Sequence, residues 1–219
     1  MYSFSSRDDT IVFDEPLYAH YLYSTGIKHP GFNDILNKYE CNGKKVIENI
    51  ILQDYERPIS FFKLMSHFII DLDLGFLRDM QNIILIRDPL DVIVSYDKVI
   101  QEPSLEDIGV LYQVNILNYL KKMNTPCIVV DSKDILSNPK KLLKEICHRL
   151  KIDFDNKMLS WKKGPKDFDG IWAKYWYSSV HETEGFIHTK HKMKELSIRN
   201  MKLYEEALGY YNLLKKQSI

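Results

Sequence analysis

Arg87 ends a run of branched apolar residues, I-I-L-I, and Ser95 follows eight positions later in an amphipathic segment. A guanidinium is a planar fork of donors matched to phosphate oxygens, and a hydroxyl adds one more donor. Ligands of open α/β sheets bind at the carboxyl ends of the strands, where this Arg stands. The same residues also allow an Arg87 paired with Asp88 or Asp91 and a Ser95 on a solvated helix face. Lys162, Lys163 and Lys166 surround Gly164-Pro165, and three Trp fall within 16 residues there. Flexible ammoniums beside an approachable glycine backbone suit a phosphate, and an aromatic wall suits a purine or a planar acceptor. The alternative is a loop pinned by buried Trp with its lysines in water. His67 follows Lys63 by four positions, so the two share a face if the segment is helical. A His near a transferable group is a natural general base at neutral pH, although a hydrogen-bonded structural role suits it equally. Asp14 and Glu15 close an apolar run, where they either position a substrate hydroxyl or cap a turn. His20, His29, His181, His188 and His191 show neither H-E-x-x-H nor facial-triad spacing, so no metal site is expected.

These groups need a scaffold. β-Branched and aromatic runs predict strands at Thr10–Phe13, Pro58–Leu64, Ile83–Ile86 and Cys127–Val130. Apolar spacing predicts helices at Asn33–Tyr39, Lys44–Leu52, Leu90–Ile100 and Lys194–Leu214, with a helix or helix pair at Phe68–Leu77. Ser104 with Asp107 reads as a capping box opening a longer helix, and Asn138-Pro139 opens another that runs to about Leu150. Tyr18–Pro30 reads as an aromatic, His-rich loop, and 151–191 as a long irregular segment of the kind that is usually functional. Strand and helix signals alternate without a linker or repeat, which predicts one α/β domain over 1–219 with a layered, largely parallel sheet.

Composition narrows the function. The 219 residues balance 30 Lys+Arg against 30 Asp+Glu, so no electrostatic footprint for nucleic acid exists. Cys41, Cys127 and Cys147 lack C-x-x-C spacing, which argues against disulfides and for a reducing cytoplasm. No run has the length of a membrane span, and the first residues lack the pattern of a signal peptide, so a cytoplasmic location is expected.

Taken together, D-E-P-L-Y-A-H-Y-L (Asp14–Leu22), T-G-I-K-H-P-G (Thr25–Gly31), I-L-I-R-D-P-L-D-V-I-V-S-Y (Ile84–Tyr96), E-D-I-G-V (Glu106–Val110), M-L-S-W-K-K-G-P-K (Met158–Lys166) and D-G-I-W-A-K-Y-W-Y (Asp169–Tyr177) resemble the sulfotransferase family. The likeness is to its bacterial sulfotransferase-like branch and runs through nearly the whole chain. It implies a three-layer P-loop nucleoside-triphosphate-hydrolase-like fold, a parallel sheet flanked by helices. It also implies transfer of a sulfuryl group from 3′-phosphoadenosine 5′-phosphosulfate to a small hydroxyl or amine acceptor. By the resemblance, Arg87 and Ser95 grip the 3′-phosphate of the donor, and Lys162, Lys163 and Gly164 form a second contact with it. His67 would be the catalytic base and Lys63 the cation that neutralises the leaving phosphate. Asp14, Glu15, Tyr18, His20, Trp172, Trp176 and Tyr177 would shape the acceptor side.

Two departures qualify this. Relatives open with a strand and a loop of the W-S-G-P-R-N-I-S-T type that cradles the 5′-phosphosulfate, whereas Met1–Arg7 here resembles the end of the helix after that loop. No G-K-[ST] segment replaces it. An N-terminally truncated member with little or no transferase activity is therefore expected, or alternatively a non-catalytic nucleotide- or partner-binding module. The second departure is Leu64, which stands directly after Lys63 where relatives tend to have His.

Overall fold

The computed structural model describes residues 1–100, 102–187 and 196–219. In chain order, α1 (Tyr2–Ser5), β1 (Thr10–Asp14), α2 (Tyr18–Thr25), α3 (Phe32–Lys38), α4 (Gly43–Val46) and β2 (Ile59–Lys63) come first. They are followed by β3 (Asn82–Ile86), α5 (Pro89–Tyr96), α6 (Leu105–Ile108), α7 (Val110–Lys122), β4 (Cys127–Asp131), α8 (Ser132–Ser137) and α9 (Pro139–Leu150). The last elements are α10 (Ala173–Trp176), α11 (Ser178–His181) and α12 (Ile198–Lys215). Backbone contacts divide the chain into two compact units, one of Met1–Phe76 with Asp153–Phe186 and one of Leu77–Ile152 with Ile187–Ile219.

In the first unit β1 and β2 run parallel, in register from Thr10 opposite Ile59 to Asp14 opposite Lys63. Both strands therefore end side by side on charged residues at the carboxyl edge. Tyr18–Pro30 is not a loop throughout: Tyr18–Thr25 is helical, and Gly26 closes it in the left-handed conformation at φ 70°. Leu17, Tyr18, Tyr21 and Leu22 carry a helical period and are all buried, a signal masked by the aromatic and polar residues between them. Rings fill this core. Phe68 stacks on Tyr18 and on Tyr21 at 4.7 Å each, and Trp172 meets Tyr18 edge-on at 5.1 Å.

In the second unit β3 and β4 are also parallel, with Ile86 opposite Asp131 at the end of the register. Ile84, Ile86, Val110, Leu117, Val129, Ala207 and Leu214 form its core, which places α7 and α12 against the strand pair. The capping box at Ser104 and Asp107 is present. Gly109, at φ 70°, splits the expected long helix into α6 and α7. Each parallel pair stands as its own two-stranded sheet, where the alternation predicts one larger sheet. Lys194, at the expected start of the last helix, and His188 and His191 lie outside the described residues.

Asp131 shows what holds this unit. Its fully buried carboxylate accepts from Tyr211 Oη at 2.5 Å, from Lys215 Nζ at 2.8 Å and from the Lys133 N–H at 2.8 Å. Burial opposes the charge, yet Lys215 and Tyr211 outweigh it and leave the pKa below the ordinary value. A depressed carboxylate contributes stability above its unfolded value, near pH 4, and loses it as pH falls through the lower folded value. Asp131→Asn is expected to cost about 2–3 kcal/mol at neutral pH in urea unfolding, because the part-buried Tyr211 and Lys215 lose a buried, charged acceptor. That cost should shrink toward acid pH.

Candidate active site and anion cleft

The carboxyl edge of the β1–β2 pair gathers three groups that the sequence suggests separately. Lys63 Nζ bonds the Glu15 carboxylate, lies 3.6 Å from Asp14 Oδ1 and donates to Tyr177 Oη at 2.5 Å. Tyr177 Oη in turn donates to Asp14 Oδ1 at 2.6 Å and lies 3.2 Å from Glu15 Oε1. The Gly170 N–H donates to Asp14 Oδ2 at 3.0 Å, so the late aromatic segment folds back onto the end of β1. The side chains of Asp14 and Glu15 are buried, and that of Lys63 is 28% exposed. Burial pushes the Glu15 carboxyl upward, Lys63 opposes that shift and Asp14 adds to it. Burial likewise raises the Tyr177 phenol, with Glu15 and Asp14 adding to the shift.

Backbone strain marks the same point. Glu15 sits at φ 45°, in the left-handed region that costs an L-residue roughly 1–2 kcal/mol. Its N–H still extends the ladder to the Lys63 carbonyl at 2.9 Å before the chain turns away at Pro16. Strain held at a strand end beside buried charges is a recurrent mark of functional sites.

Other expected residues lie apart from this edge. His67 is 3% exposed and packs edge-on against Tyr21 and Phe68, with ring centroids 5.1 and 4.7 Å away. His20 is buried, with Nε2 2.9 Å from the Ile70 carbonyl oxygen and Nδ1 3.3 Å from that of Cys41. Tyr18 and Trp172 are each 1% exposed, so their rings serve packing in this structure. Trp176 is half-buried and meets His29 edge-on.

An open cleft of about 610 Å³ lies in the same unit and involves Lys163, Lys174, Ser178, His181 and Glu182. Gly164, Pro165 and Ala173 complete its lining. Gly164 adopts φ 92°, and nothing stands within 4 Å of where a Cβ would be. Its N–H is nonetheless engaged by the His181 carbonyl at 2.8 Å, and its carbonyl accepts from Lys166 Nζ at 2.9 Å. The glycine is thus open sterically while its backbone polar groups are already used. Lys163 pairs with Glu182 at 2.7 Å, which holds the lysine above and the glutamate below their ordinary pKa values. Lys162 is exposed beside it. Behind the cleft, His181 Nε2 lies 3.0 Å from Asp169 Oδ2, and Tyr2 Oη donates to Asp169 at 2.8 Å. Tyr2 and Asp169 fall in two segments of the family resemblance, but 167 positions separate them and no local pattern pairs them.

In the second unit Arg87 leaves the end of β3 exposed, and Ser95 is exposed near the end of α5. Of the two competing partners of Arg87, Asp88 and Asp91, the Asp88 carboxylate caps α5 by accepting from the Leu90 N–H at 2.9 Å. Among the described residues neither Arg87 nor Ser95 has a side-chain hydrogen bond, and Arg87 has no ion pair. No group of three His, Cys, Asp or Glu side chains among the described residues is arranged to hold a metal ion. No helix among them is long and apolar enough to cross a membrane.

Comparison with known proteins supplies the family. A sequence profile described as a sulfotransferase domain matches residues 1–218. Branched-chain-amino-acid aminotransferase-like proteins 1 and 2 of Arabidopsis thaliana are 38% and 35% identical over 216 residues, 98% of this chain. The chain spans about two fifths of their length, 39% and 38%. Among solved structures, the sulfotransferase domain from the curacin biosynthetic pathway aligns at TM-score 0.44 and 15% identity, covering 89% of this chain and 78% of that one. The sulfotransferase domain of the Synechococcus PCC 7002 olefin synthase aligns at TM-score 0.42 and 15% identity, covering 90% and 92%. With the profile matched from end to end, the chain belongs to the sulfotransferase domain family.

Proposed function

We propose, against the expectation of little or no activity drawn from the sequence, that this chain, built on a P-loop-type fold, transfers a sulfuryl group from 3′-phosphoadenosine 5′-phosphosulfate to a small hydroxyl or amine. The observation that carries the reading is the Lys63, Glu15, Asp14 and Tyr177 cluster at the carboxyl edge of a parallel pair. In the transfer, the acceptor oxygen or nitrogen forms a bond to sulfur and gives up its proton. The bond from sulfur to the bridging oxygen breaks, and its electron pair stays on the 5′-phosphate of 3′,5′-phosphoadenosine. Lys63 is the part-exposed cation suited to that developing charge. Of two candidate bases, Glu15 and His67, geometry favours Glu15. Its carboxylate touches Lys63, and burial raises its affinity for a proton, whereas His67 lies within the ring stack. Tyr177 keeps the two carboxylates and Lys63 in one hydrogen-bonded unit.

The 3′-phosphate falls to Arg87 and Ser95 of the second unit. Ser95 lies about 10 Å along α5 from its start, a span that a long Arg side chain and a phosphate between the two groups would fill.

The test is transfer from ³⁵S-labelled donor to a panel of small alcohols and amines. Lys63→Met is expected to lower kcat about 100–1000-fold, and Glu15→Gln about 100-fold or more, with His67→Asn milder than either. A His67→Asn loss that exceeds the Glu15→Gln loss would reverse the assignment of the base. A second reading is a binding module without turnover, in which the exposed Arg87 and Ser95 still take the nucleotide. Tight binding of 3′,5′-phosphoadenosine with no transfer to any acceptor would favour the module.

A further inference from the structure

The rings expected to wall an acceptor pocket are largely packed into the core of the first unit, with Tyr18 and Trp172 1% exposed and Tyr177 9% exposed. The cleft at Lys163 is open instead. Its volume of about 610 Å³ is in the range of small-molecule sites. No Phe, Tyr or Trp side chain lines it, and the ring in its lining is the His181 imidazole, held by Asp169. Its charged lining is two ammoniums, Lys163 and Lys174, an imidazole, His181, and a single carboxylate, Glu182. We propose that this cleft holds the acceptor by an anionic group, and that the acceptor is a small, non-aromatic hydroxy- or amino-carboxylic acid anchored by Lys163 and Lys174. The inference rests on the sulfotransferase reading for the word acceptor; the anion cleft itself does not.

The chemistry of the walls supports this choice. The N–H and carbonyl of Gly164 are already bonded, so this glycine offers no free backbone donor to a phosphate. What remains are ammoniums on flexible stems, which act as point charges and suit a carboxylate. Lys174 has no acidic partner among the described residues and lies 4.9 Å from the Tyr175 ring centroid. Lys163 is held by Glu182 at 2.7 Å in an exposed pair, and an incoming carboxylate would replace one acceptor of the same kind by another. The wall between them is fixed. His181 is anchored by Asp169, which also accepts from Tyr2 Oη and from the Lys166 N–H at 2.8 Å. Tyr177 links the His181 wall of the cleft to the Lys63 centre: its ring centroid is 6.1 Å from that of His181, and its hydroxyl is bonded to Lys63.

The test titrates the full chain with L-malate and with L-serine, following the His181 ring resonances by NMR. Dimethyl malate, serine methyl ester and glycerol are the matched probes lacking the acid. Both acids are expected to give saturable shifts with affinities at least about tenfold above their esters. Lys174→Gln should cut that preference to about threefold or less while changing the affinity for 3′,5′-phosphoadenosine less than about twofold. Equal affinity for acid and ester would overturn the proposal. So would direct competition between 3′,5′-phosphoadenosine and malate, which would make the cleft a donor site. Failure of the sulfotransferase reading looks different: malate would still bind, and the wild-type chain would bind no 3′,5′-phosphoadenosine at all.

Discussion

Arg87→Ala is expected to weaken binding of 3′,5′-phosphoadenosine about 30-fold or more, the loss of a charge-assisted contact of roughly 2–3 kcal/mol. Stability should hardly change. The guanidinium is exposed and has no ion pair among the described residues, and its neighbour Asp88 caps α5 with or without it. Arg87→Lys separates charge from shape: it keeps the cation and loses the bidentate fork, so only part of the affinity should return. Isothermal titration of the three proteins measures all of this. Unchanged affinity in Arg87→Ala would remove the residue from the donor site.

The second large effect is on folding. A Cβ at Gly170 would stand 2.1 Å from Trp172 Cζ2 and 2.2 Å from Cε2, far inside van der Waals contact. Trp172 cannot yield easily, because its ring is buried edge-on against Tyr18 at 5.1 Å and tilted against Tyr39 at 5.0 Å. Gly170→Ala should therefore destabilise by about 2–3 kcal/mol through overpacking, and lower Tm by roughly 4–12 °C. It should also disturb chemistry, since the Gly170 N–H holds Asp14, and Asp14 holds Tyr177. Thermal melts that match wild type would show that the indole moves aside at little cost.

All four strands were legible because each is a short run of β-branched or aromatic residues stopped by a charge or a turn. Asp14 and Lys63 could be placed at strand ends for the same reason. Their meeting could not be anticipated: strand pairing in register, Asp14 opposite Lys63, is a long-range choice that local patterns do not encode. Tyr177 is further still, 163 positions from the Asp14 that its hydroxyl bonds. The aromatic segment was misleading for a physical reason, since Trp and Tyr serve equally as core filling and as binding walls. Arg87 was left open between a ligand and a pairing with Asp88 or Asp91, and among the described residues it forms an ion pair with neither. The helix at Tyr18–Thr25 was hidden because His20, Tyr23 and Ser24 dilute an apolar period that packing alone completes.

The reading depends most on a site that distinguishes a 3′-phosphate. The direct measurement compares the affinity of the wild-type chain for 3′,5′-phosphoadenosine with that for adenosine 5′-phosphate, which lacks only that group. Arg87 and Ser95 as its grip give an expected preference of about 30-fold or more for the bisphosphate. Equal affinity for the two nucleotides, or none for either, would contradict it.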